Sequence, residues 1–368
     1  MAFKQVSFLP WTQFNRIIKL GPITFWPYYK EVDQRIRDEE VKNHLDKYFR
    51  SYVDRWGNPV ETITICSYNN NDFRELNENE WQKVRNAVDV LIFASVVPQT
   101  ERAVCSDNRS WVPPTTNVFE LVTQNFEPGD DSVAIQAGSL CNFDWKIDDI
   151  TFSEPWAKGG TSCNPEDKIL KGFEKCFSHE TKKNFCEGIF RSLEWFRMAH
   201  MEDNGITMAS KVVMMTTAFE ALLKLPLREQ SKKFAFYIEK NIASDNFIRD
   251  IRRRKNKSNR LSLAGWWALD FYDLRTRIVH GKPISLRELS YKGWISHLIV
   301  TDLVFWECMQ QELLSHGCID DDLYPDETNI GKILDELFPD EQPERPVRTL
   351  TKRFEGFDDI NKALGWVK

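Results

Sequence analysis

Two residues, Arg275 and His280, stand close together near the end of one amphipathic stretch of this 368-residue chain, YDLRTRIVHGKP (272–283). A histidine exchanges its proton near neutral pH, and an arginine stays charged and presents a planar fork of donors that fits phosphate oxygens. The pair therefore suits the cleavage of an RNA phosphodiester by the RNA's own 2′-hydroxyl. The histidine would move a proton to or from a reacting oxygen, and the arginine would stabilise the charge of the transition state. This reaction needs no metal, and DNA, which lacks the 2′-hydroxyl, should resist it.

The spacing of the two residues is weak evidence when it is taken alone. Arg37 and His44, in the charged stretch RDEEVKNH, form a second pair of comparable spacing, for which a solvated helix face is the simpler interpretation. Arg275 and His280 have a similar alternative interpretation, in which Arg275 is a surface residue and His280 only caps the helix. The surrounding sequence has to distinguish the two interpretations.

The stretch LAGWWALDFYDLRTRIVHGKP (263–283) predicts a helix from Leu263 to His280, which carries the pair. Gly281 and Pro283 end this helix, so that His280 lies in its last turn, where the helix dipole favours a protonated imidazole. Side chains five positions apart project about 140° from each other, so Arg275 and His280 bracket one face. That face bears Tyr272, Thr276 and Val279, and the core-facing stripe consists of Leu263, Trp267, Phe271, Leu274 and Ile278.

Further stretches of helical periodicity lie on both sides of this helix. They predict an all-α bundle with short connections, and their bounds are 183–202, 210–225, about 228–242 and 286–316. Two copies of the bundle that meet on the face between Arg275 and His280 would supply two arginines and two histidines to one cleft.

Residues 1 to about 160 alternate short apolar runs with turn signals, which is typical of a domain that contains a sheet. The predicted strands are 60–68, 89–97 and 117–126, and the predicted helix is 78–90. The fold class is therefore α+β, with an N-terminal mixed α/β domain followed by the all-α bundle. A stretch rich in Gly, Pro, Ser and Asn (153–167) indicates a linker near the boundary.

The predicted domains are 1–165, the bundle 180–318 and a charged C-terminal extension 319–368. With a formal net charge of −6, the chain cannot coat nucleic acid through its overall charge. A local basic run directly precedes the helix of Arg275, and its residues Arg252, Arg253, Arg254 and Lys255 are predicted to contact RNA. A solvated loop between helices is the alternative interpretation of this run.

The chain shows no signal peptide and no apolar stretch of membrane-spanning length, which predicts a cytoplasmic protein without a membrane partner. Its eight cysteines should then remain reduced. Four potential zinc ligands lack the paired Cys-x-x-Cys spacing of strong zinc sites, so independent thiols are favoured and no metal or cofactor is predicted. These four residues are Cys163, Cys176, His179 and Cys186.

The segment YDLRTRIVHGKP closely resembles the motif of the HEPN superfamily, specifically its Apea-like branch, and FEALLKL (219–225) is similar to that branch as well. The resemblance covers roughly residues 180–316 and is most specific around the motif. It implies that Arg275 and His280 cleave RNA without metal at the interface of two such domains, and hence a homodimer. By position, Thr276 follows the motif arginine, where active members often carry Asn, Asp or His, and Glu220 matches a polar position that flanks the site.

Members of this superfamily recur in toxin–antitoxin pairs, phage defence and abortive infection. The N-terminal half is similar in order and character to the domain that accompanies Apea-like modules, which implies a sensing or regulatory role and a phage-derived activator or regulatory partner. The main alternative is a catalytically silent module that binds RNA or protein through the same bundle and basic run. A metal-dependent enzyme is disfavoured because no compact cluster of carboxylates and histidines is visible in the sequence.

Overall fold

The computed structural model describes residues 3–29, 35–69, 73–105, 115–137, 141–156, 163–178, 183–203, 205–226, 228–242, 263–291 and 295–319. The chain divides into two compact units, Met1–Ser95 with Thr115–Glu180 and Val96–Pro114 with Thr181–Lys368. The first unit contains antiparallel sheet and the second consists mainly of helices, so the predicted α+β class is confirmed. Among the described helices, none has the length and apolar character needed to span a membrane.

The first unit is built around a five-stranded antiparallel sheet of β1 (Lys4–Leu9), β2 (Ile18–Leu20), β3 (Ile23–Tyr29), β5 (Thr62–Tyr68) and β6 (Val122–Phe126), in the spatial order β2-β3-β5-β1-β6. One face of this sheet packs on helix α1 (Glu39–Phe49). Strand side chains alternate between the two faces, and Phe8, Tyr28 and Ile63 belong to one buried cluster with Leu45 and Phe49 of the helix. The other elements that begin in this unit are β4 (Tyr52–Val53), α2 (Glu78–Cys105), β7 (Ser132–Ala137), β8 (Cys141–Lys146), β9 (Phe152–Ser153) and α3 (Asp167–Phe177).

The strand predicted at 89–97 is wrong, because these residues continue α2. Val90, Leu91, Ile92 and Phe93 are all fully buried, so this part of the helix is apolar on every side and shows no helical alternation. The strand predicted at 60–68 is confirmed as β5, and the helix predicted at 78–90 is confirmed as the start of α2. The segment 117–126 divides into a 3-10 turn, Asn117–Phe119, and strand β6.

The second unit contains α4 (Lys183–His200), α5 (Met208–Leu223), α6 (Gln230–Asn241), α7 (Leu263–Val279) and α8 (His297–Ser315). The first four begin and end within two residues of the predicted bounds. Aromatic side chains fill the space between these helices, and Trp267 and Phe271 of the predicted stripe are fully buried. The rings of Phe219, Phe234 and Phe305 belong to the same core.

The last predicted helix, 286–316, is wrong at its beginning. Residues Leu286–Leu289 form a single 3-10 turn, the strands β10 (Ser290–Tyr291) and β11 (Ile295–Ser296) pair antiparallel, and only then does α8 begin. Two serines start separate helical segments: Ser285 forms a capping box with Glu288, and the Ser296 hydroxyl accepts a hydrogen bond from the Leu298 N–H. Apart from Ile319, the predicted C-terminal extension lies outside the described residues.

Candidate functional site

His280 is the residue that caps the C-terminus of α7. Its N–H bonds to the carbonyl of Thr276 at 3.1 Å, and the next two N–H groups, of Gly281 and Lys282, bond back to Ile278 and Arg277 at 3.0 Å each. Gly281 adopts a φ of 66°, which is the left-handed conformation that closes a helix in this way and that favours glycine. The helix end therefore fixes the backbone of His280 one residue beyond the last helical position.

The side chain of His280 faces solvent. It makes no hydrogen bond within the part of the chain that the structure describes, whereas the other face of α7 is anchored in the core by Leu274. The imidazole is thus available to a substrate or to a second molecule. Its neighbour Val279 is also exposed, with 52% of its surface accessible.

Arg275 is held half-buried beside a carboxylate. Its guanidinium Nη2 lies 3.5 Å from Glu220 Oε1, and 25% of its side chain is exposed. The guanidinium carbon also lies 5.7 Å from the ring centroid of Tyr272, one helical turn earlier, within the range of a cation–π contact. Charge and packing therefore define the position of this guanidinium.

The guanidinium of Arg275 nevertheless has hydrogen-bond donors that no described residue accepts. None of them makes a hydrogen bond to a described residue, and Nε is buried without any acceptor. An arginine carries five N–H donors, and leaving buried donors unpaired is costly, so native structures seldom do so without a reason. An anion with several oxygens would satisfy this guanidinium.

Glu220 reaches the site from α5, because α5 packs directly against α7. Its Oε1 accepts a hydrogen bond from the hydroxyl of Tyr272. Burial, reinforced by the adjacent Glu220 carboxylate, raises the pKa of Tyr272, so its hydroxyl stays protonated and acts as the donor. The structure thus places the predicted residues Glu220 and Arg275 together and adds Tyr272 to them.

Thr276 behaves differently from the other predicted site residues. Its hydroxyl donates to the carbonyl of Tyr272 at 2.9 Å, which is a bond back to its own helix. The proton of this hydroxyl is therefore occupied. The predicted RNA contacts Arg252, Arg253, Arg254 and Lys255 lie outside the described residues and remain a prediction.

The remaining sequence-based candidates do not form a site. Cys163, Cys176 and Cys186 carry free thiols, His179 is not among the described residues, and no three potential ligands in the described chain are placed to hold a metal. The solvated face predicted for His44 is wrong, since this residue is 5% exposed and stacks on the ring of Phe126 at 4.3 Å. Two clefts of the first unit, of about 290 and 680 Å³, contain none of the predicted site residues.

Sequence reasoning missed two polar groups of the second unit. The sequence contained a signal for Tyr272, because this residue lies three positions before Arg275 and therefore on the same face of the helix. The buried pair of His200 and Asp302 had none, because 102 positions separate the two residues in the chain.

Comparison with family models, with curated proteins and with solved structures found no match to this chain. The resemblance of segments 272–283 and 219–225 to HEPN sequences is therefore the basis for any assignment to that superfamily.

Proposed function

We propose that this protein is a metal-independent HEPN RNA endonuclease of the Apea-like type, with Arg275 and His280 as its catalytic residues. The observation that carries the proposal is the guanidinium of Arg275, which is fixed beside Glu220 while its donors bond to nothing in the described chain. A phosphate offers the oxygens that such a planar fork binds best. The exposed imidazole of His280 follows at the end of the same helix.

The proposed reaction is a transesterification. The 2′-oxygen of the RNA attacks the adjacent phosphorus, the bond from phosphorus to the 5′-oxygen breaks, and the products carry a 2′,3′-cyclic phosphate and a 5′-hydroxyl. His280 takes the proton of the 2′-hydroxyl or gives one to the departing oxygen, and Arg275 stabilises the charge on the phosphate oxygens. Glu220 orients Arg275, and Thr276 borders the site.

A homodimer is part of the proposal, with RNA as the substrate. Exposed apolar side chains flank His280 on both sides along the chain, Val279 at 52% and Leu286 at 48% accessibility, and an interface would cover them. The biological setting that fits is cytoplasmic anti-phage defence or abortive infection, with the N-terminal unit as sensor of a phage-derived activator or regulatory partner.

A catalytically silent module that binds RNA or protein is the second candidate. The bond of the Thr276 hydroxyl to its own helix favours it, because a hydroxyl occupied in this way has no proton to offer a substrate. In this case RNA should bind with an affinity that depends on the basic run 252–255, and no cleavage should occur.

The deciding experiment is incubation of the purified full-length protein with total RNA in EDTA, followed by analysis of the product ends. We expect cyclic phosphate and 5′-hydroxyl ends, which Arg275→Ala and His280→Ala each abolish. Arg277→Ala is the matched control for the arginine, because Arg277 lies two positions further on and pairs with Glu288. Cleavage that persists in both Arg275→Ala and His280→Ala refutes the assignment.

A further inference from the structure

The hydroxyl of Tyr272 and the guanidinium of Arg275 approach the same oxygen atom, Glu220 Oε1. We infer that Tyr272 is a positioning residue, which holds Glu220 so that the carboxylate attracts Arg275 without taking up its hydrogen-bond donors. The inference rests on the proposed function in one respect, which is that phosphate is the group that the N–H donors of Arg275 bind.

The geometry around Glu220 supports this role. The only hydrogen bond that its carboxylate makes within the described residues comes from Tyr272, and Arg275 Nη2 remains at 3.5 Å without a hydrogen bond. A carboxylate and a guanidinium that approach freely form two parallel hydrogen bonds, which is the most favourable arrangement for the pair. Arg275 and Glu220 fall short of that arrangement because Tyr272 has already engaged the oxygen that faces the arginine.

Tyr272 is itself held rigidly. It is 3% exposed, and its ring lies 6.1 Å from that of Phe234 on α6. The same ring supports the guanidinium of Arg275 from one helical turn away. One side chain thus positions both members of the charged pair.

Removal of the hydroxyl should close the pair of Glu220 and Arg275. Without Tyr272 as donor, the carboxylate gains most by bonding to the guanidinium directly, and the donors of Arg275 are then no longer available to a phosphate. Tyr272→Phe is therefore expected to weaken phosphate binding although no charge changes. The added replacement Glu220→Gln should restore the donors, because a neutral amide does not form the ion pair.

The experiment that tests this inference measures the rate at which phenylglyoxal modifies Arg275 in the folded full-length chain, followed by mass spectrometry. Tyr272→Phe should slow the modification about three-fold or more, as charge-assisted bonds occupy the guanidinium. The double variant Tyr272→Phe with Glu220→Gln should react at least as fast as the wild type. The matched control is Tyr237→Phe, which removes another hydrogen bond from a tyrosine to a glutamate in the same unit, that of Tyr237 to Glu312 at 2.9 Å.

An unchanged or faster rate in Tyr272→Phe overturns the inference, as does a slow rate that Glu220→Gln does not restore. An equally slow modification of Arg275 in Tyr237→Phe also overturns the inference, because the loss of any tyrosine–glutamate hydrogen bond in this unit would then have the same effect. The labelling does not depend on catalysis: a wild type that fails to cleave RNA contradicts the proposed function, whereas the labelling rates test Tyr272 by themselves. In an active protein, RNA cleavage should also fall in Tyr272→Phe.

Discussion

His280 and His316 end their helices in the same way. Each N–H bonds to a carbonyl four residues earlier, at 3.1 Å for His280 and 3.2 Å for His316, and each is followed by a glycine with a φ of 66° or 68°. The rings differ, because the ring of His316 stacks on Phe185 with centroids 3.8 Å apart, while the imidazole of His280 is exposed and makes no hydrogen bond to a described residue. His316 is therefore a structural control for His280.

Replacement of each histidine by alanine should separate capping from catalysis. His316→Ala loses a stacked aromatic contact and should lower the free energy of unfolding by about 1 kcal/mol, with RNA cleavage retained. His280→Ala should change that free energy by less than about 0.5 kcal/mol and abolish cleavage. Urea unfolding and a cleavage assay measure the two effects. Equal loss of cleavage in both variants would show that His280 acts through the helix end alone.

Glu288 should make the stability of the second unit depend on acid pH. The N–H of Ser285, the guanidinium of Arg277 and the hydroxyl of Ser285 together lower the pKa of this carboxyl from 4.5 to about 2. Because the pKa in the folded state is depressed, the stabilisation is fully present above about pH 4.5 and is lost as the pH falls towards 2. Melting temperatures between pH 5 and 2.5 should therefore fall less steeply for Glu288→Gln than for the wild type. Identical slopes would contradict this account.

The buried pair of His200 and Asp302 should contribute strongly to the stability of the helical unit. Their side chains are 2% and 0% exposed, with Nε2 and Oδ1 2.8 Å apart. The other ring nitrogen meets the carbonyl of Phe196 at 2.8 Å, and Thr100 lies within hydrogen-bond distance of the second carboxylate oxygen at 3.1 Å. Asp302→Ala should therefore lower the free energy of unfolding by about 3–5 kcal/mol, because it leaves a buried imidazole without its partner.

A double-mutant cycle tests the coupling in that pair. The variant that lacks both His200 and Asp302 should be more stable than the sum of the two single losses predicts, since neither partner is then left unpaired. Denaturant unfolding of the four proteins gives the coupling free energy. Strictly additive losses would show that the two residues act independently.

Gly21 should tolerate a side chain much less well than Gly57 does. Both adopt positive φ, 56° and 85°, but a methyl group at Gly21 would overlap Cβ of Phe177 on α3, while no described atom lies within 4 Å of one at Gly57. Gly57→Ala should cost about 1 kcal/mol from its backbone conformation, and Gly21→Ala at least about 1 kcal/mol more from the overlap. Chemical denaturation compares the two. Equal costs would contradict the close packing of β2 on α3.

Local signals were sufficient to predict α7 and β5 from the sequence. The apolar residues of α7 recur at helical spacing, and Gly281 supplies the positive φ that its C-terminus requires, so both its course and its end follow from neighbouring residues. The same signals failed at 89–97, because a segment buried on all sides has no polar face to reveal its period. They also failed over 286–291 and 295–296, because Ser285 and Ser296 each begin a separate helical segment.

The sequence by itself determined that Arg275 lies in a helix and that His280 stands at the C-terminal end of that helix, because helical geometry and a terminating glycine are local properties. Only the tertiary structure decided which groups surround the arginine. The hydroxyl of Tyr272 meets Glu220 across 52 positions of the chain because α5 packs on α7. In this partly buried site, Tyr272 donates to the carboxylate oxygen that Arg275 also approaches. Local periodicity carries no information on such a contact, since it depends on which helices pack together and how deeply they are buried.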